Sequence, residues 1–233
     1  ASCVNVTQGG VVVTSSTGQP VTGDRITCTT ASPDPFTVPI IVGSSSVAAT
    51  GVTIEIQPGA TLRSASAPIT VLSNPNPLSQ AAIINDGTIE ATGSSLAINA
   101  GPTGSSIVNG GVIRAAGNTA VTFGGTGGPG SLRNLASGVI SGTLGVQSNS
   151  GTITNEGLIE GRSSRAFQAP VGSSGRQRVE IAQQRLPSGV VEFGARIVAD
   201  RPRHRRQDDD LRPRRDERIE RPADRSDRVV IRV

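Results

Sequence analysis

Residues 81–100 read "AAIINDGTIEATGSSLAINA", and the elements of this stretch return further along the chain. Residues 106–124 read "SIVNGGVIRAAGNTAVTFG", and residues 152–168 read "TITNEGLIEGRSSRAFQ". In each copy an apolar run is followed by Asn, Gly and Ile in that order, and a second short apolar patch comes about ten residues later. The chain therefore carries an internal repeat, which is typical of solenoid architectures.

The repeat is centred on a glycine that is followed two residues later by an isoleucine. The four copies are spaced by 24, 27 and 19 residues and contain Gly87 and Ile89, Gly111 and Ile113, Gly138 and Ile140, and Gly157 and Ile159. An asparagine precedes the glycine by two residues at Asn85, Asn109 and Asn155, whereas Asn134 lies four residues before Gly138, which indicates an insertion in that copy. The second patch contains a small, an apolar and a polar residue, at 97–99, 120–122, 145–147 and 166–168. An earlier relative lies at 52–71, where Gly59 and Ile69 hold comparable places.

Short apolar runs separated by Gly, Ser, Asn and Thr favour strands and turns over helices. The chain has 233 residues, with 29 Gly, four Phe and no Tyr or Trp, so we expect a narrow interior. Two short strands per repeat cannot bury their apolar face alone and must stack on the next copy. The sequence therefore predicts an all-β parallel β-helix (solenoid) of roughly five or six coils, with the four repeat isoleucines stacked inside. A leucine-rich repeat has a similar period but needs leucines and a helix that are not found here.

The two cysteines, Cys3 and Cys28, lie near the start of the chain. We expect a disulfide that ties the first strands over the open end of the solenoid in an oxidising compartment, with two unrelated buried thiols as the alternative. The single histidine, His204, gives a zinc site little support. The sequence starts at Ala1 without Met, which a leader removed on export or a trimmed chain would explain.

The recurring asparagines have two interpretations. They would form a row of ligand-binding groups if they faced outward. The favoured interpretation is structural, because Asn tolerates turns and can stack in ladders on equivalent Asn residues in neighbouring coils. The glycines would then supply backbone conformations that other residues avoid.

The segments "IINDGTIEATG", "IVNGGVIRAAG" and "ITNEGLIEG", preceded by "VTIEIQPGATLRS" and the opening "ASCVNVTQGG", resemble the passenger region of Gram-negative autotransporters. The resemblance covers about residues 1–172. It implies a right-handed parallel β-helix outside the cell, carried there by a C-terminal outer-membrane β-barrel. After residue 175 no run of amphipathic strands with aromatic girdles follows, so we assign no barrel to this chain.

Composition divides the chain into an N-terminal cap segment with the cysteine pair (1–50), the β-helix repeats (51–175) and an Arg/Asp-rich tail (176–233). The tail holds 16 of the 22 arginines and 11 of the 18 acidic residues, so its net charge is +5 against −1 for the rest. This composition predicts a disordered or poorly ordered segment. Three interpretations stay open: polyanion binding, which the interleaved acids and missing aromatic residues argue against, a solvated linker, and a shifted or truncated reading frame.

The repeats contain few groups suited to catalysis. Asp86 and Glu156 share one repeat place, and Glu90 and Glu160 share another, so each pair is three coils and about 14 Å apart, too far for paired acid–base chemistry. The glycine cluster at 124–130 lacks the Gly-Lys-Ser/Thr ending of a phosphate loop. We therefore predict no catalytic residue, no cofactor and no metal ligand.

These observations predict a structural β-helix stalk that is secreted or displayed on the surface of a Gram-negative cell, with adhesion to host or neighbouring cells as an accompanying role. The alternatives are a polysaccharide-degrading or polysaccharide-binding β-helix protein, and polyanion binding through the tail. Nucleic acid is not an expected partner, and the outer membrane would be contacted only through a barrel that we do not find in this chain.

Overall fold

The chain folds as an all-β parallel solenoid, as the repeat predicts. The computed structural model describes residues 2–32, 34–73, 78–101, 103–125 and 127–162, together with three short strands beyond them. The described residues contain strands and turns and no helix. Most of the tail predicted for residues 176–233 lies outside the described residues. The three interpretations of the tail, including a shifted reading frame, therefore stay predictions.

The first ten strands are β1 (Ser2–Asn5), β2 (Val11–Val12), β3 (Arg25–Thr29), β4 (Ile40–Val42), β5 (Val52–Ile56), β6 (Thr61–Ser64), β7 (Ile69–Val71), β8 (Ala81–Asn85), β9 (Thr88–Ala91) and β10 (Ile98–Ala100). The others are β11 (Ser106–Asn109), β12 (Val112–Ala115), β13 (Val121–Phe123), β14 (Gly130–Asn134), β15 (Val139–Gly142), β16 (Val146–Ser148), β17 (Gly151–Asn155), β18 (Leu158–Gly161), β19 (Phe167–Gln168), β20 (Val179–Ile181) and β21 (Val230–Arg232).

Each coil contributes three strands, so the prediction of two strands per repeat is wrong. The physical reason is the turn that follows the recurring asparagine, where Asp86 and Gly87 separate β8 from β9 after Asn85. What reads in sequence as one apolar patch is therefore bent into two strands that belong to different sheets. Five consecutive coils have this form, beginning with β5, β8, β11, β14 and β17.

The strands of successive coils pair in parallel and form three sheets. Sheet A contains β3, β5, β8, β11, β14, β17 and β20 in that order, with β1 and β2 added at its start. Sheet B runs from β6 through β9, β12 and β15 to β18, with β21 added antiparallel at its end. Sheet C runs from β4 through β7, β10, β13 and β16 to β19.

Each sheet contributes a continuous apolar stack to the interior. The four isoleucines that follow the repeat glycines are in register in sheet B and are buried, and Leu62 of the preceding coil extends their stack: Leu62, Ile89, Ile113, Ile140 and Ile159. The second apolar patch forms the sheet C stack of Ile40, Ile69, Ile98, Val121 and Val146. The sheet A stack contains Ile26, Ile54, Ile83, Ile107, Leu132 and Ile153. Each such side chain contributes about 1.5–3 kcal/mol by leaving water.

The parallel stack begins earlier than residue 51. β3 pairs in parallel with β5, and β4 pairs in parallel with β7, so residues 25–42 already form an incomplete first coil. The N-terminal hairpin then covers the edge of this coil, because β1 lies antiparallel on β3 and β2 lies antiparallel on β1. Such a covered end keeps the solenoid from exposing a long unpaired strand edge.

A disulfide joins Cys3 to Cys28, as predicted. The two residues face each other across the β1–β3 pair, and both are fully buried. The bond therefore fastens the N-terminal hairpin to the first coil. Among the described residues, no helix has the length and apolar character required to cross a membrane.

Candidate interaction surface

The asparagines of the repeat lie inside the solenoid and form a hydrogen-bonded ladder. Nδ2 of Asn85 donates to Oδ1 of Asn109 at 2.7 Å, Asn109 to Asn134 at 2.8 Å, and Asn134 to Asn155 at 2.8 Å. All four side chains are buried. Asn134 joins the ladder despite the insertion that follows it, because its position in β14 is paired with Asn109 and Asn155. The row is therefore a structural feature of the interior and is not presented to a ligand.

The ladder has one unpaired end. Oδ1 of Asn85 is buried and has no hydrogen-bond partner, because the preceding coil places Ile56 at the corresponding position. Each asparagine further along receives on its Oδ1 the bond that Asn85 lacks. The direction of the ladder is thus fixed, with donors pointing away from the N-terminal cap.

The repeat glycines are required by close approach of neighbouring coils. We expected backbone conformations closed to other residues, but Gly87, Gly111, Gly138 and Gly157 have no positive φ. A Cβ atom at Gly111 would instead overlap the carbonyl oxygen of Gly87, and one at Gly157 would overlap that of Gly138. The glycines therefore let the Asn-Gly corners of successive coils stack directly on one another.

The N-terminal cap contains a buried carboxylate. Oδ2 of Asp24 accepts hydrogen bonds from Asn5 Nδ2 at 2.7 Å, Gln8 Nε2 at 2.8 Å and the Val21 N–H at 2.9 Å. Burial by itself would raise the pKa of Asp24, but the hydrogen bonds from Val21, Asn5 and Gln8 outweigh it and hold the pKa below its ordinary value. With three donors on one oxygen, this carboxylate is a structural tie between the hairpin and the first coil.

The other carboxylates of the repeats lie on the outer surface. Glu90 contacts Arg63 at 2.7 Å and Arg114 at 3.9 Å on the outside of sheet B, where the three residues occupy consecutive coils. Glu90 and Glu160 occupy the same register position in coils that are three apart, as the sequence predicts. Exposed pairs of this kind contribute about 0–1 kcal/mol each.

Two further ion pairs lie on the outer face of sheet A. Arg25 pairs with Glu55, and Nη2 of Arg133 lies 3.0 Å from Oε1 of Glu156. The two pairs lie towards opposite ends of the face and bracket two apolar residues, Ile84 and Val108, which are in register on neighbouring strands.

The outer face of sheet A consists of two columns of outward side chains on the six parallel strands β3, β5, β8, β11, β14 and β17. The central column contains Thr27, Glu55, Ile84, Val108, Arg133 and Thr154. The lateral column contains Arg25, Thr53, Ala82, Ser106, Ser131 and Thr152. Ile84 is one of the large hydrophobic residues that remain exposed, with 36% of its surface accessible. This face combines apolar and charged groups and is the candidate surface for an interaction.

Sequence reasoning did not single out these outward residues. Glu55 and Arg133 read as isolated charges because they lie in different repeats, and no short motif contains both. Once β5 and β14 are known to be strands, the alternation of buried and outward residues tells which side chains point out of the solenoid. Their common column follows only from the register of the coils between them.

Across the described ranges, His, Cys, Asp and Glu side chains form no group of three or more that could hold a metal ion. Comparison with known proteins adds no relationship, since no family model, no curated protein and no solved structure matches this chain.

Proposed function

We propose that this chain is a structural β-solenoid stalk that is secreted or displayed on the surface of a Gram-negative cell, similar to an autotransporter passenger region. The observation that carries the proposal is that the repeated positions of the sequence lie inside the solenoid. The positions that recur from coil to coil are interior: the isoleucine stack, the asparagine ladder and the tightly stacked glycines. Repetition of interior positions builds length and stiffness.

The outward positions behave differently. Along the central column of sheet A the side chain changes with almost every coil, from Glu55 to Ile84, Val108 and Arg133. A surface that binds a repeating polymer would favour the same outward side chain in successive coils. The variation supports a stalk that carries specific contact patches over one that reads a repetitive ligand along its whole length.

The disulfide between Cys3 and Cys28 supports placement outside the cytosol. Disulfides persist in oxidising compartments such as the periplasm and the cell exterior and are rare in reducing ones. The bond lies at the start of the solenoid, where stacking on a preceding coil is absent and extra fastening has most effect.

The polysaccharide-degrading alternative needs a pair of carboxyl groups about 5–9.5 Å apart. Glu90 and Glu160 point outward from the same register position, but about 14 Å separates strands that are three coils apart. The carboxylate of Glu90 also forms ion pairs with Arg63 and Arg114. Polyanion binding would depend on the arginine-rich tail, most of which lies outside the described residues.

Protease treatment of intact producing cells tests the localisation. We expect an antibody against the folded chain to detect it on intact cells or in the culture medium, and added protease to remove the cell-bound signal without cell lysis. A periplasmic protein should stay intact under the same conditions and serves as the control. Signal that becomes accessible only after lysis would overturn the proposal of surface display or secretion.

Carboxylate substitutions test the stalk against the enzyme. Purified chain carrying Glu90→Gln and Glu160→Gln, or Asp86→Asn and Glu156→Gln, should bind target cells and polysaccharides as the parent does, with an unchanged melting temperature. A hydrolytic activity in the parent that either pair of substitutions abolishes, while folding is kept, would replace the stalk by an enzyme.

A further inference from the structure

In the central column of the sheet A outer face, the residue types on one side of the midpoint match those on the other side, but the charges have opposite sign. On the six strands from β3 to β17 it reads Thr27, Glu55, Ile84, Val108, Arg133 and Thr154. The register continues beyond these six positions to Val4 and Val12 before Thr27 and to Glu180 after Thr154. The midpoint lies between Ile84 and Val108. Moving outward from it, an apolar residue is followed by a charged residue and then by a threonine on both sides, and the two charges have opposite sign. These six positions are therefore complementary to a reversed copy of themselves, whereas the flanking positions of Val4 and Glu180 are not part of the pattern.

A two-fold axis along the strand direction brings two such faces together. It turns the second solenoid to run in the opposite direction while keeping the central column opposite the central column. Ile84 then faces the partner's Val108, and Glu55 faces the partner's Arg133. Because the arrangement is two-fold symmetric, each contact occurs twice.

We propose that two copies of this chain associate through the sheet A outer face with their solenoid axes antiparallel. The apolar centre is formed by Ile84 and Val108 from both copies. The two charged ends are each formed by Glu55 of one copy and Arg133 of the other. This inference concerns the chain's own surface and does not depend on the function proposed above.

Exposure of these side chains fits the proposal. The side chain of Glu55 is 26% exposed and that of Arg133 is 59% exposed, so both have surface to offer a partner. Each already has an intrachain partner, Arg25 for Glu55 and Glu156 for Arg133. In the dimer these pairs join into a neutral network of four groups at each end, and no charge is removed from its existing partner.

The lateral column accepts the same arrangement. In the reversed copy Ala82 faces the partner's Ser106, Thr53 faces the partner's Ser131, and Arg25 faces the partner's Thr152. These residues occupy matching strand positions on either side of the same midpoint. The column therefore places no like charges opposite each other and no large side chain opposite another.

The expected association is weak. Six strands about 4.8 Å apart, each about 16 Å long, give a face of roughly 400 Å² per copy. The dimer would then bury about 800 Å² in total, below the roughly 1,200 Å² at which stable specific interfaces begin. We expect a dissociation constant on the order of 100 µM, so the dimer forms where copies are concentrated.

Charge reversal tests the proposal on the full chain. Sedimentation velocity over about 10 µM to 1 mM should show a reversible monomer–dimer equilibrium in the parent. Glu55→Arg alone places like charges opposite each other at both ends, as does Arg133→Glu alone. Each should weaken dimerisation at least roughly tenfold, because each reversal acts twice in a symmetric dimer. Circular dichroism confirms that every variant is folded.

Mixing the two single variants gives the decisive measurement. A mixed dimer has an arginine opposite a glutamate at both ends, so an equimolar mixture should regain the parent's affinity within about threefold. An effect on intrachain pairing alone cannot produce this recovery, since each chain keeps its own altered pair. Glu90→Arg, which disturbs the Arg63–Glu90 pair on sheet B, is the matched control and should leave dimerisation unchanged.

Three results would overturn the proposal. One is a parent chain that stays monomeric up to about 1 mM. The second is a mixture of folded Glu55→Arg and Arg133→Glu chains that remains as weakly associated as each variant alone. The third is an equal loss of dimer in the Glu90→Arg control, which would assign the association to another surface.

Discussion

Asn109 donates a hydrogen bond of 2.8 Å from Nδ2 to Oδ1 of Asn134, one coil further along the solenoid. The same side chain accepts a bond of 2.7 Å from Asn85 on its other side. Asn109 is therefore a donor and an acceptor in the interior at once, and its neighbours depend on it in both directions.

Replacing Asn109 should destabilise the fold more than replacing Asn85. Asn109→Ala takes the donor from buried Oδ1 of Asn134 and the nearest acceptor from Asn85, and we expect a loss of about 2–4 kcal/mol in the free energy of unfolding. Asn85→Ala removes an oxygen that is already unpaired and takes a donor from one ladder neighbour, Asn109, and from the Val112 carbonyl at 3.2 Å, so its cost should be about half as large. Urea unfolding monitored by circular dichroism measures both. Equal costs, or a larger cost for Asn85→Ala, would contradict the ladder's polarity.

The glycine stack gives a second expectation. Gly111→Ala places a Cβ against the carbonyl oxygen of Gly87, where backbone atoms cannot move aside independently, and we expect a loss of at least about 2 kcal/mol. Gly104→Ala is the matched control, because a Cβ there first meets Nε2 of the flexible Gln80 side chain at 3.2 Å. Thermal melting of both variants should show a large decrease for Gly111→Ala and a small change for Gly104→Ala. Similar decreases in both would remove close coil approach as the reason for the repeat glycine.

Loss of the disulfide should weaken the N-terminal end. The bond closes a loop with a sequence separation of 25, for which restriction of the unfolded chain amounts to about 3 kcal/mol. Cys3→Ala with Cys28→Ala should therefore lower the unfolding free energy by that amount, and a reducing agent should lower the melting temperature of the parent and leave the double variant unaffected. If reduction shifts both proteins equally, the effect does not come from this bond.

Acid should loosen the cap through Asp24. Its pKa is lower in the folded chain than in the unfolded chain, so the stabilisation is fully present above the unfolded value, near about 3.9, and is lost as the pH falls through the folded value. Asp24→Asn should reduce stability at neutral pH and should also make the fall in stability below about pH 4 shallower. Unfolding curves of both proteins across this pH range measure the difference. Parallel curves would show that Asp24 does not contribute to the acid sensitivity.

The interior of the solenoid was readable from sequence to a large extent. The places of Ile89 and Ile98 recur with fixed offsets from a glycine, and each repeat position became one position in a stack. Even Asn134, displaced by two residues relative to its glycine, kept its place, because pairing of β14 with β11 and β17 fixes it and the extra residues fall in the turn.

The division of each coil and the outer surface were not readable in the same way. The turn at Asp86 and Gly87 is too short to separate β8 from β9 by composition. The relation between Glu55 and Arg133 depends on the accumulated register of the intervening coils, whose lengths differ. A sequence pattern specifies what each coil buries, whereas a surface column arises from several coils together and has no local signature.

The one-way asparagine ladder also governs how such a chain can lengthen. A coil duplicated between Asn109 and Asn134, for instance a second copy of residues 106–130, meets an acceptor on one side and a donor on the other, so every bond of the row is re-formed. We expect a chain with this duplication to melt at no lower temperature than the parent. A coil that carried leucine at the asparagine position and was inserted between Asn109 and Asn134 would instead leave Oδ1 of Asn134 without its donor, a second buried oxygen without a partner besides Oδ1 of Asn85. Tandem duplication inside the ladder is thus tolerated by the hydrogen bonding itself, and size can change in whole coils without redesign of the interior.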